Sequence, residues 1–313
     1  MIVLNDINKN ARGGTELMQE RLFSSFPKDL MDKFQIIPSR VREIEPDKKK
    51  ILWLHDLPQD PEALHTAEPE SLKRFDKLVA VSNWQAQLFN LVNGVPYDKM
   101  TVIRNGIEPI QMGPKQYDET VRIIYHTTPH RGLELLVPVF KKLCELHDNI
   151  HLDVYSSFNL YGWKDADVPY EVLFDECRNH PNITYHGAVS NQEIRQALVQ
   201  SHIFAYPSIW QETSCLSVIE AMSAKNLVVC PNFAALPETC ANFAMMYPYN
   251  EDKNTHARQF AHTLNNAINS VKANEAGLTS YLDFQKQYFD YFYGWEGRKA
   301  EWAGLFNMLL EQI

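Results

Sequence analysis

The 313-residue chain lacks most of the signatures that assign a chemistry at sight. Its five cysteines, Cys144, Cys177, Cys215, Cys230 and Cys240, form no CxxC pair and leave an odd number. They read as reduced, mostly buried thiols of a cytoplasmic protein rather than as a disulfide framework. No GxSxG, no GxxxxGK[ST] and no His/Cys cluster with zinc spacing occurs, which argues against a serine hydrolase, a P-loop ATPase and a zinc enzyme. Apolar runs stop short of the roughly 18 residues that span a bilayer, and no basic segment leads into an apolar one at the N-terminus. Internal repeats and low-complexity tracts are missing, which excludes a solenoid. Positive charge is also in deficit: the formal net charge of −9 makes nucleic acid an unsuitable partner. Residues 1–110 carry a net −1 and the remainder −8, so the nearly neutral first part can approach an anionic surface or acceptor more easily.

What the chain does have is a core and a rhythm. Hydrophobic residues make up 45% and charged ones 22%, the composition of a folded protein long enough for two domains. Short apolar runs at Ile2–Asn5, Phe34–Ile37, Ile51–His55, Leu78–Val81 and Thr101–Ile103 alternate with helical patterns at Gly14–Phe26, Glu62–Phe75 and Asn83–Leu91. After a turn-rich linker, Asn105–Gln116, the alternation resumes from Arg122 to Ala273. Strands taking turns with helices predict parallel sheets covered on both faces, and ligands of such sheets bind beyond the strand C-termini. Two doubly wound domains in series therefore predict an active site in the cleft between them. The aromatic-rich segment Tyr281–Leu310 lacks the basic excess of a membrane-surface helix and predicts a helix pair packing across the domains. Membrane association is expected to be weak or absent.

The stretch Glu212-Thr213-Ser214-Cys215-Leu216-Ser217-Val218-Ile219-Glu220 puts two carboxylates eight positions apart around a helix start. Free amides and the positive end of the helix dipole lie between them, a place where a diphosphate can be held. An ordinary helix with one acid near its cap and another on a solvated face has the same spacing. Elsewhere, Gly13-Gly14 opens a helix and suits close backbone approach to an acceptor or phosphate, or is simply a turn. His55 and Asp56 end a buried strand, where the imidazole can bond sugar hydroxyls or take a proton near neutrality, or is a satisfied core histidine. Ser82 ends the next strand and serves equally well as a helix cap. His126-Thr127-Thr128-Pro129-His130-Arg131-Gly132 joins a strand to a helix, with Arg131 placed to grip a phosphate or to lie at the surface. Asp165-Ala166-Asp167 matches a short metal-binding pattern but sits in a polar loop, and no metal is expected.

These residues resemble glycosyltransferase family 4, the group of retaining enzymes with the two-domain GT-B fold. The likeness is carried by Tyr206-Pro207-Ser208 through the E-x7-E pair to Leu236-Pro237-Glu238, by Val102–Glu108, by Gly13-Gly14 and by the Trp295–Trp302 segment. It implies an α/β GT-B fold with a first, acceptor-side Rossmann-like domain over 1–108, a second, donor-binding one over 117–293, and a crossover helix over 294–313 returning to the first. It implies a nucleotide diphosphate sugar as donor, UDP- or GDP- ahead of ADP-linked, and a glycan, lipid-linked or other hydroxyl as acceptor, with no cofactor. Glu220 would hold the ribose, Glu212 the donor sugar, and the amides of Thr213, Ser214, Cys215 and Leu216 the sugar and phosphate. Arg131 stands where the family has a phosphate-binding Lys, and His55 would face the acceptor. The family's Gly-Arg pair is missing, leaving His126 or His130 as candidate second cation, and Thr213, Ser214 and Cys215 replace its glycines. A sugar-nucleotide epimerase or hydrolase on this fold, or a non-catalytic binding scaffold, is the alternative.

Overall fold

Runs of consecutive apolar residues become strands buried on both faces, the pattern that parallel sheets under two helix layers require. All five residues of Leu227–Pro231 are buried, as are Ile51, Leu52 and Trp53. The structure, a computed structural model, describes residues 13–117, 119–273 and 276–311. Its chain divides into one unit of Gly13–Gly106 with the segment from Tyr293 onward, and another of Ile107–Phe292.

In the first unit β1 (Phe34–Pro38), β2 (Lys49–Trp53), β3 (Lys77–Ala80) and β4 (Met100–Val102) form a parallel sheet in that order. The expected strand Ile2–Asn5 lies outside the described residues. Leu52, Leu54, Phe75, Leu78, Phe89 and Val95 fill one side of the sheet. The helix Asn83–Asn93 begins where the Ser82 hydroxyl accepts from the Gln85 amide at 3.0 Å and ends at Gly94, whose φ of 68° suits glycine. A single helix over Glu62–Phe75 does not form. Pro69 holds Glu68 extended, and the segment splits into a 3-10 turn, Leu64–Ala67, and a one-turn helix, Pro69–Leu72.

The aromatic-rich tail is two helices, Ala276–Phe292 and Trp295–Glu311. The second packs within the first unit: Trp302 lies edge-on to Trp53 at 4.9 Å, Phe306 sits 4.5 Å from Phe34, and the Trp295 indole donates to the Ser25 hydroxyl at 2.7 Å. Its approach depends on Gly106, since a Cβ there would meet Arg298 Cγ at 2.6 Å and Trp295 Cε3 at 2.8 Å. Gly106→Ala is expected to lower stability by about 1–3 kcal/mol through overpacking, read as an earlier urea midpoint. An unchanged midpoint would mean that the helix yields without cost.

In the second unit β5 (Val121–Tyr125), β6 (Ile150–Val154), β7 (Ile183–Tyr185), β8 (Ile203–Ala205), β9 (Leu227–Pro231) and β10 (Met245–Tyr247) form a six-stranded parallel sheet, order β10-β9-β8-β5-β6-β7. The order reverses between β5 and β8, which makes the C-terminal ends of those two strands the switch point of the sheet, where ligands of such sheets bind. The segment after Gly106 is fastened to this unit. Ile110 N–H donates to the Ser223 hydroxyl at 3.0 Å, Lys286 donates to the Ile110 carbonyl at 2.6 Å, and Lys115 caps two helix ends at Leu198 O and Ala224 O.

Candidate functional site

The loop leaving β5 carries Arg131 and the loop leaving β8 carries Glu212, so the switch point brings an arginine against a carboxylate. Arg131 Nη1 donates to Glu212 Oε1 at 2.6 Å, and Glu212 is only 5% exposed. The approach is set by Gly132, whose φ is 124°. A Cβ at that position would lie 2.2 Å from the Pro207 carbonyl oxygen, so only glycine lets the two loops come this close. Burial works against the charge on Arg131, but the Glu212 carboxylate more than offsets it and raises the guanidinium above its ordinary range. The Tyr206 hydroxyl donates a short hydrogen bond to the same Oε1. Behind it, Thr127 Oγ1 donates to the Tyr125 hydroxyl at 2.9 Å, and that hydroxyl donates to the Thr128 carbonyl at 3.0 Å.

The second acid is held as firmly. Glu220 lies in the helix Leu216–Ser223 and is 4% exposed. Arg195 Nη1 donates to its Oε1 at 2.8 Å and Asn191 Nδ2 to its Oε2 at 3.1 Å. Asn191 and Arg195 are four apart on the helix Asn191–Gln200 and so share a face. The other Arg195 nitrogen, Nη2, donates to the Glu108 carbonyl at 2.8 Å. Each carboxylate oxygen of Glu220 has a second lone pair for a ligand. Sequence reasoning missed Asn191, Arg195 and Tyr206. The four-residue spacing was visible, but on a polar helix it looks like an ordinary solvated face.

Between the acids, the helix starts at Leu216 after Cys215, which offers no side-chain cap, so the first-turn amides have no intrahelical partner. Ser217 Oγ donates to the His126 carbonyl at 3.4 Å, joining this helix start to the β5 loop. Thr213, Ser214 and Leu216 keep partial exposure, whereas the Cys215 thiol is buried and held well above its usual range by that burial and by Glu212. Five side-chain polar atoms of the β5 and β6 loops are sealed from solvent without a hydrogen-bond partner: His126 Nε2, Thr128 Oγ1, His130 Nδ1, Arg131 Nε and Ser156 Oγ.

Burial disfavours the charged form of the three candidate-site histidines. His126 packs on Phe204 at 4.6 Å, its Nε2 is sealed without a partner, and burial pushes it down to about 3. His130 stacks on Phe158 at 5.1 Å, and burial followed by the Arg131 charge lowers it to about 4. Burial thus disfavours in both the cationic form that a second phosphate cation would need. His55, with its ring 4.7 Å from Trp53, is likewise lowered to about 3 by burial. Burial thus disfavours the charged form of His55 as well. Asp56 is raised by burial, and its carbonyl accepts from Gln85. Ser82 is a helix cap. Gly13 is the N-cap of Gly14–Ser25 in extended backbone, a conformation open to any residue. These four first-unit positions belong to a different unit from Glu212 and Glu220.

Asp167 ties its own loop, accepting from Ser157 Oγ at 2.5 Å and the Phe158 amide at 2.7 Å. Among the described residues no group of three His, Cys, Asp or Glu is arranged to hold a metal, and no helix is long and apolar enough to cross a membrane.

A family model described as glycosyl transferases group 1 matches residues 111–278. The GPI3 subunit of phosphatidylinositol N-acetylglucosaminyltransferase from Saccharomyces cerevisiae is 21% identical over 71% of this chain and 49% of its own. The Arabidopsis thaliana protein named for the same transferase is 27% identical over 54% and 37%. The chain thus spans half or less of the length of these relatives. Among solved structures, a glycosyltransferase from Rickettsia africae superposes with a TM-score of 0.69 at 17% identity, covering 98% of this chain and 84% of that one. Anabaena HepE in complex with UDP and glucose gives 0.66 at 14%, covering 83% and 72%.

Proposed function

Since the chain belongs to the glycosyl transferases group 1 family and is a glycosyltransferase of GT-B fold, we propose that it transfers a sugar from a nucleotide diphosphate sugar to an acceptor hydroxyl, with retention and without a metal. The observation that carries this reading is the pairing of Arg131 with Glu212 where the strand order reverses, at the mouth of a helix N-terminus. Glu220 receives the ribose hydroxyls on its remaining lone pairs. The helix-start amides and Arg131, whose Nε has no partner, take the diphosphate. Glu212 accepts from hydroxyls of the donor sugar. Its carboxylate is held by a guanidinium and a phenol, which stabilise the charge and weaken it as a nucleophile. Retention then follows from a diphosphate that leaves and accepts the proton of a hydroxyl entering on the same face. UDP is the first nucleotide to try, with glucose and N-acetylglucosamine as first sugars, and lipid-linked or glycan hydroxyls as acceptors.

The test is incubation with UDP-, GDP- and ADP-sugars in EDTA, following nucleotide release with and without acceptors. Acceptor-dependent release that survives EDTA is expected. Loss in EDTA would overturn the metal-free mechanism, release without acceptor would point to hydrolysis, and binding without release to a scaffold. In the same assay Glu220→Ala is expected to weaken nucleotide binding by about 1–3 kcal/mol, the scale of hydrogen bonds to a charged group. Unaltered affinity would remove Glu220 from the ribose site.

A further inference from the structure

The two donors on Glu212 reach the same oxygen, and that asymmetry has a use. Arg131 Nη1 and the Tyr206 hydroxyl both end on Oε1. Oε2 has no hydrogen bond among the described residues, yet it is not among the sealed polar atoms, so the small exposure left to Glu212 includes this oxygen. The last torsion of a glutamate is broad and roughly two-fold. One donor alone would leave the carboxylate free to rotate about its contact. Two donors from different strand ends, one after β5 and one at the end of β8, fix the plane and leave a single acceptor in a set direction.

Tyr206 is suited to be the stiffer of the two. Its ring is fully buried, lies parallel to Phe204 at 5.4 Å and abuts Tyr125 at 6.3 Å. Its amide donates to the Val229 carbonyl at 2.8 Å, continuing the β8 ladder. Burial, then the Glu212 charge, keeps its hydroxyl protonated and therefore a donor. Arg131, by contrast, is 24% exposed at its side chain and ends a short 3-10 turn, Pro129–Arg131.

We infer that Tyr206 is a positioning residue that aims Glu212 Oε2 at the donor sugar, and so determines which arrangement of sugar hydroxyls the site accepts. The inference rests on the proposed meeting of Glu212 with those hydroxyls. It concerns selectivity among sugars on one nucleotide, not affinity for the nucleotide.

The experiment compares wild type, Tyr206→Phe and Glu212→Gln with UDP, UDP-glucose, UDP-galactose and UDP-N-acetylglucosamine, measuring UDP affinity, kcat and KM for each sugar, and thermal melting. In Tyr206→Phe the preferred donor is expected to lose about tenfold or more in kcat/KM, the scale of one hydrogen bond to a charged group. Discrimination between the epimeric donors narrows, while UDP affinity stays within about twofold. Tyr206→Phe with wild-type discrimination, beside a Glu212→Gln that loses it, overturns the positioning role alone. Glu212→Gln with wild-type discrimination overturns the underlying assignment of Glu212. A parallel fall in UDP affinity and melting temperature in Tyr206→Phe makes the residue merely structural and also overturns the inference. Should that variant not fold, a ring-fluorinated tyrosine at 206 keeps the shape and strengthens the donor. A change in sugar discrimination without change in UDP affinity is then expected, and its absence is the negative result.

Discussion

Gly132→Ala is expected to destabilise the second unit by about 2–5 kcal/mol and to cut sugar transfer by about a hundredfold or more, the loss that follows a displacement of about 1 Å at a site. Two costs combine. An L-residue at a φ of 124° is strained by about 1–2 kcal/mol. The new methyl would also lie 2.2 Å from the Pro207 carbonyl oxygen and 2.9 Å from its carbon, and backbone cannot swing aside as a side-chain end can. Relief requires the loops after β5 and β8 to separate, which stretches the 2.6 Å contact of Arg131 with Glu212. Chemical denaturation measures the first effect and donor turnover the second. Normal stability with normal turnover would mean that the loops do not depend on this close approach.

Much of this architecture was legible because parallel strands announce themselves. Ile123-Ile124-Tyr125, Ile203-Phe204-Ala205 and Leu227-Val228-Val229 are apolar runs too short for helices, bounded by turn residues, and each is a buried strand. The acids were visible through their spacing around a helix start, and the Arg-Gly step through its place before a helix. What binds the acids was not legible. Tyr206 looks like one more strand residue, and its hydroxyl meets Glu212 only because the chain turns at Pro207. Arg195 lies 25 residues before Glu220, and the pairing arises from packing of the two helices. The charge state of His126 and His130 is set by Phe204, Phe158 and neighbouring loops, which sequence alone does not bring around them. The Glu62–Phe75 segment departs from a single helix for a different reason: Pro69 disfavours helical backbone at Glu68, and this local restriction outweighs the apolar helical pattern around it.

Arg131→Ala tests the ionic half of the same constellation, and its sign separates charge from packing. Removing one partner of a buried pair leaves the other charge uncompensated, a loss of about 3–5 kcal/mol when both are fully buried. Arg131 keeps 24% side-chain exposure against 6% for Glu212, so water can reach part of the gap and about 2–4 kcal/mol is expected. Tyr206 remains on Glu212 but brings no charge. Arg131→Ala combined with Glu212→Gln is therefore expected to be more stable than Arg131→Ala alone, because the amide leaves no ion to bury. Turnover stays low in both, since each lacks a group proposed to hold the donor. Arg131→Lys is not expected to restore turnover. A single ammonium can meet Oε1, but it lacks the planar fork that also presents a donor at Nε. The deficit should persist at high salt, as screening acts weakly on buried pairs. A double variant no more stable than Arg131→Ala would show that the guanidinium supports the loops by packing, and that the charge of Glu212 is accommodated without it.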